Sequence, residues 1–167
     1  MSFKTFTAEE DHPLALKPSL MAMLRGSEGS NAFRRLYRVL PGNVSDDVIY
    51  DGDLACAYTV SSWLYLFGLI RGGVHTTVAK TIEDLTESGW EESALPAAGC
   101  VVLWGVKQGD DGRPHYHIGI CLSASDAVSN YAPQKQPKIH PIHGFLKNEK
   151  GEEREVITFF KHPLLEE

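Results

Sequence analysis

Cys56, Val60, Trp63, Leu64 and Phe67 stand at i, i+4, i+7, i+8 and i+11, the spacing of one face of an α-helix. Such a stripe has to be buried, so the thiol at its head points inward. Asp53, after the turn expected at Asp51-Gly52, is positioned to cap this helix and to leave Cys56 in its first turn. Before it, residues 18–24 predict a short helix with Leu20, Met23 and Leu24 apolar, broken by the Gly/Ser cluster of 26–30. The spacing of Phe33, Leu36, Tyr37 and Leu40 predicts a second helix over 31–39, with Arg34, Arg35 and Arg38 as its solvated face. Residues 1–17 show little periodicity and read as an arm. After Arg71-Gly72-Gly73, Val78, Ile82 and Leu85 predict a helix over 76–88, closed by Gly89.

From Gly99 the period shortens. Apolar runs at 100–104, 116–122, 127–131, 139–146 and 155–160 predict strands separated by tight turns, the last two pairing around 148–151. Helices first and consecutive short strands afterwards make an α+β fold, with an antiparallel sheet of about five strands lying on the Cys56 helix. Within the 116–122 run, His117, Gly119 and Cys121 share one face while Ile118 and Ile120 take the other. Gly119 lets another backbone come close, as a helix delivering a thiol to His117 would require.

The chain has 167 residues, the size of one domain, with 43% hydrophobic and 23% charged residues, as in ordinary globular proteins. A net charge of −6 and a pI near 5.6 argue against a general partner among nucleic acids or anionic membranes. Residues 1–30 lack a continuous apolar segment, and no run of about 18 apolar residues occurs, so neither a secretion signal nor a membrane span is expected. That reading places the protein in the cytoplasm or on a leaderless export route.

Cys56, Cys100 and Cys121 are three thiols without a CxxC pair, which suggests neither a disulfide framework nor a zinc ribbon. Cys100 and Cys121 fall in apolar strands and read as inert. Cys56 differs, because free N–H groups and the helix dipole at a helix start favour a thiolate. A helix-borne cysteine followed far along the chain by a strand-borne histidine, His117, has the layout of nucleophilic thiol catalysis. The plainer reading of Cys56 is a small buried hydrophobe. His115 and His117 also form an HxH pair, with His140 and His143 downstream, but no carboxylate follows at a suitable spacing. His115, His140 and His143 are therefore read as surface or packing residues, and no metal or other cofactor is expected.

Cys56 opening an apolar helix, the helix ending at Gly89, the strand Gly99-Cys-Val-Val-Leu-Trp104 and the strand His117-Ile-Gly-Ile-Cys-Leu122 together resemble the NlpC-type cell-wall peptidases and the related CHAP amidases. The resemblance covers about residues 50–131. It implies a papain-like domain, 47–163, behind an N-terminal helical extension, 1–46. It implies a cysteine hydrolase cleaving an amide bond, most naturally in peptidoglycan stem or cross-bridge peptides. Asn130, on the strand after the histidine strand, becomes the candidate for orienting His117, with Ser129, Asp126 and His140 as alternatives. Tyr50 becomes a candidate oxyanion donor or, equally, a packing aromatic, while Trp90 and Trp104 read as packing. The family's Asp-Cys-Ser-Gly is Ala55-Cys56-Ala57-Tyr58 here, and its Asp after the strand-opening glycine is Cys100, so substrate preference does not transfer. A non-catalytic binding module on the same fold, an acyltransferase or transpeptidase, and a histidine-based metal enzyme are the competing readings.

Overall fold

The computed structural model describes residues 14–108 and 112–166; most of the arm expected at 1–17, and 109–111 of the turn before the histidine strand, lie outside the described residues. The order is α1 (Leu16–Gly26), β1 (Tyr37–Leu40), β2 (Val44–Asp47), α2 (Cys56–Leu66), α3 (Val78–Glu87), β3 (Glu91–Ser93), β4 (Val101–Gln108), β5 (Pro114–Cys121), β6 (Asp126–Tyr131), β7 (Gln136–Pro141) and β8 (Val156–Lys161). Six strands form one antiparallel sheet in the order β3-β8-β4-β5-β6-β7, and β1 and β2 form a separate hairpin. The α+β class expected from the sequence is the class observed. No described helix is long and apolar enough to cross a membrane.

The expected helix over 31–39 is instead a loop followed by β1. Gly42 and Asn43 both adopt positive φ, closing a hairpin whose Arg38 pairs with Asp46 across the strands. Tyr37, Val39 and Val44 are exposed, so their apolar spacing is not the imprint of a core. The extension over 1–46 thus holds one described helix and most of a hairpin whose second strand runs across its boundary. Nor are the arginines merely solvated: Arg34 and Arg35 pair with Asp51, and Arg35 also lies near Asp47.

The expected pairing of 139–146 with 155–160 does not form. A short turn through Lys135, at φ 57°, folds β7 back on β6, whereas β8 inserts between β3 and β4. Only an isolated bridge, Lys147 to Glu153, joins the flanks of the 148–151 turn. The added edge strand β3 carries no apolar run by which it could have been read.

The sheet has a core on each face. Val60, Trp63 and Leu64 of α2 pack with Leu85 of α3 and with Val101, Leu103, Ile118 and Ile120. The other face buries Cys100, Val102, Trp104, Cys121, Ala127, Ile142 and Phe159. The Trp104 indole N–H donates to the Ile142 carbonyl at 2.9 Å. Strands β4 and β7 are three places apart, about 14 Å in a flat sheet, so the contact requires the sheet to curl on itself. The loop between α2 and α3 is locked by Asp84, whose carboxylate accepts from the Arg71 and Gly72 N–H groups and the Ser88 hydroxyl and lies 2.7 Å from His75 Nε2.

Gly119 is close-packed, but against the neighbouring strand rather than against α2. A Cβ there would lie 2.8 Å from the Val128 carbonyl oxygen, 2.9 Å from Ser129 Cβ and 3.0 Å from the Trp104 ring. Gly119→Ala is expected to destabilise the fold by about 1–3 kcal/mol, the usual result of overpacking against backbone, read as a lowered denaturation midpoint.

Candidate active site

Helix α2 begins at Cys56, with Ala55 as its N-cap residue and no side-chain cap. Asp53 is not the cap: it lies two residues earlier, near Lys135. The helix start is placed instead by the run Tyr50, Asp51, Gly52, all at positive φ. Asp51 holds this turn by pairing with Arg34, Arg35 and Lys135, and those cations keep its carboxyl well below the usual range. The N–H groups of Ala57, Ile118 and Cys56 itself face the sulfur. Ile118 follows His117, so the thiol lies against the strand at the histidine. Cys56 as a residue is partly open to the cleft, yet its thiol is enclosed, and that burial pushes its pKa up despite the N–H groups. The free protein therefore carries a thiol at neutral pH, not the thiolate that the helix start alone suggests.

His117 Nε2 lies 2.8 Å from Ser129 Oγ, Ser129 Oγ lies 2.8 Å from His140 Nε2, and His140 Nδ1 lies 2.8 Å from the Pro141 carbonyl oxygen. The proton positions follow from the last contact, because a carbonyl can only accept. His140 Nδ1 therefore carries a proton and, in the neutral ring, Nε2 does not. The Ser129 hydroxyl must then donate to His140 and accept from His117 Nε2–H. That leaves His117 Nδ1 with the lone pair. Trp104 braces both rings, at centroid distances of 5.5 Å from His117 and 5.6 Å from His140. Burial, with Arg154 and His140 nearby, pushes the His117 pKa well below its ordinary value, and burial lowers that of His140.

Asn130, the first candidate for orienting His117, is directed elsewhere. Its Nδ2 donates to the Gly52 carbonyl at 2.7 Å, so it ties β6 to the turn before Cys56. Alternation along β6 puts Ser129 on the opposite side, at the ring. His140, expected to be a surface or packing residue, is buried within the relay. Tyr50 is exposed on the rim of the cleft, held there by its unusual backbone, and Asp126 bonds to Ser123 and Ser125 away from His117. His115 is on β5, and His143 pairs with Glu153. Among the described residues no three His, Cys, Asp or Glu side chains converge as metal ligands would.

One residue had no signal in the sequence. Between Trp104 and Lys107 the β4–β5 register slips, leaving the Gly105 and His115 carbonyls to be satisfied from elsewhere. Arg154 supplies the donors: Nε and Nη2 both reach Gly105 O, at 2.9 and 2.6 Å, and Nη2 also reaches His115 O at 2.6 Å. Cys56, His117, Asn130 and Arg154 line a cleft of about 650 Å³, together with Tyr50, Asp53, Lys107 and His115. Comparison with family models, with curated proteins and with solved structures finds no match.

Because both relay histidines take up protons less readily folded than unfolded, the unfolded chain binds more protons below the ordinary histidine pKa of 6.5. Their neutral burial costs nothing well above that value and progressively opposes folding below it. The thermal midpoint is expected to fall as pH is lowered from 7 to 5, and a smaller fall is expected for His140→Gln, measured by circular dichroism.

Proposed function

We propose that this chain is a cysteine hydrolase on a papain-like fold of the NlpC/CHAP type, cleaving an amide bond through Cys56 and His117. The observation that carries the reading is the relay from His117 through Ser129 and His140 to the Pro141 carbonyl. A structural histidine has no need of a fixed tautomer. A general base does, because its lone pair must be held ready for the proton it takes.

In this reading the enclosed thiol and the neutral imidazole act together. His117 Nδ1 takes the thiol proton as the sulfur attacks the carbonyl carbon, and returns it to the leaving amine when the tetrahedral intermediate collapses. Water then attacks the acyl-thiol, with His117 again as base, and the acid product leaves with Cys56 restored. In this reading the N–H groups around the sulfur are the candidate donors to the oxyanion, each well-placed donor contributing about 3 kcal/mol. Tyr50 lines the same cleft at its exposed rim, where it would meet the substrate. Peptides are the substrate class, and cell-wall peptides the preferred members on the resemblance. Acyl transfer uses the same intermediate and differs only in the acceptor.

Incubation with peptidoglycan fragments and a panel of peptides should give new amino termini. Cys56→Ala should abolish turnover, and His117→Ala should lower it about 10²–10⁴-fold, the range for a general base. Ser129→Ala should lower kcat several-fold, the effect of losing one neutral hydrogen bond of about 1 kcal/mol. Activity that survives Cys56→Ala but is lost to a chelator would move the site to metal chemistry, and intact binding without turnover would make it a binding module.

A further inference from the structure

Arg154 is a buried cation with no ion-pair partner among the described residues, Glu149 acting on it only from beyond pairing distance. It is only 8% exposed, and its three hydrogen bonds all go to neutral carbonyls. Its Nη1 has no hydrogen-bond partner among the described residues, and the side chain lines the cleft beside Cys56 and His117. A guanidinium taken out of water loses its hydration and needs charged or multiple polar partners in return. The carbonyls fix its position, and the carboxylate whose field reaches it, Glu149, is too far away to form a pair. The Cys56 sulfur is close enough to act on Arg154 when ionised, but burial favours its neutral thiol.

We infer that Arg154 is the carboxylate-binding residue of this cleft, so that the ligand is an acyl compound bearing a carboxylate close to the carbonyl that meets Cys56. The inference rests on the proposed nucleophilic role of Cys56. Guanidinium and carboxylate match in shape and charge, and a site whose donors are already pinned by Gly105 and His115 spends little entropy in binding. The anion would also cancel the positive field that Arg154 sets against a proton on His117. A peptide whose reacting residue carries a free α-carboxylate or an acidic side chain fits; a neutral amide does not complete the site.

Iodoacetate and iodoacetamide test this, being nearly equal in size and differing in charge. The measurement is the ratio of their alkylation rates at Cys56, read by mass spectrometry of the intact protein and its Cys56 peptide, against the same ratio for N-acetylcysteinamide. The overall charge of −6 works against the anionic reagent, so a ratio raised about tenfold would come from a local cation. It should fall to the reference value in Arg154→Gln and be partly retained in Arg154→Lys. Should Arg154→Gln fail to fold, the unaltered protein decides: N-acetylglycine should protect Cys56 saturably and N-acetylglycinamide should not. Normal labelling by iodoacetamide with no preference for iodoacetate and no selective protection overturns the carboxylate site while leaving Cys56 a nucleophile. A raised ratio unchanged in folded Arg154→Gln overturns it too, in favour of another cation such as Lys107. No labelling by either reagent overturns both readings.

Discussion

The close approach of β6 to β5 at Gly119 is the constraint on which the site depends. With no side chain at that position, Ser129 and the Trp104 ring come together over the middle of the strand. His117, two residues back on the same face, then finds a hydroxyl at hydrogen-bond distance and an aromatic ring beside it. The same indole reaches the segment after β7 and fixes how far the sheet curls. Fold and site share this one contact, so a methyl group at residue 119 would disturb both.

Much of this was legible in the chain. The stripe from Cys56 to Phe67 and the alternation around His117 are dense, regular patterns, and each describes an element buried on at least one side. The hairpin of β1 and β2 was not legible, because its apolar residues face solvent and its only imprint is the turn chemistry of Gly42 and Asn43. Strand pairing was legible only in part: β8 pairs with β3 and β4, partners far away in sequence that no local spacing encodes.

Within the site, the sequence pointed to the pair that does the chemistry in our reading, offered Ser129 and His140 only as alternatives to Asn130, and gave no sign of Arg154. Ser129 and Asn130 are adjacent and both polar, and only register tells which one meets the imidazole. Arg154 sits in a charged stretch, Glu152 to Glu155, where an arginine looks solvated. It is buried because a β-bulge far away in sequence exposes two carbonyls that need it. Residues that answer a geometric irregularity elsewhere leave no periodic signature of their own.

The relay that ends on Pro141 also runs in one direction. Its terminal acceptor has no proton to give, so neither the Ser129 hydroxyl nor the His140 ring has an equally good reversed arrangement. When His117 gains a proton at Nδ1, its Nε2–H already points at Ser129 and stays there. The charge arrives in surroundings whose dipoles are aligned beforehand. No rotor turns, no ring flips, and the reorganisation that water would require at each protonation is absent from this part of the molecule.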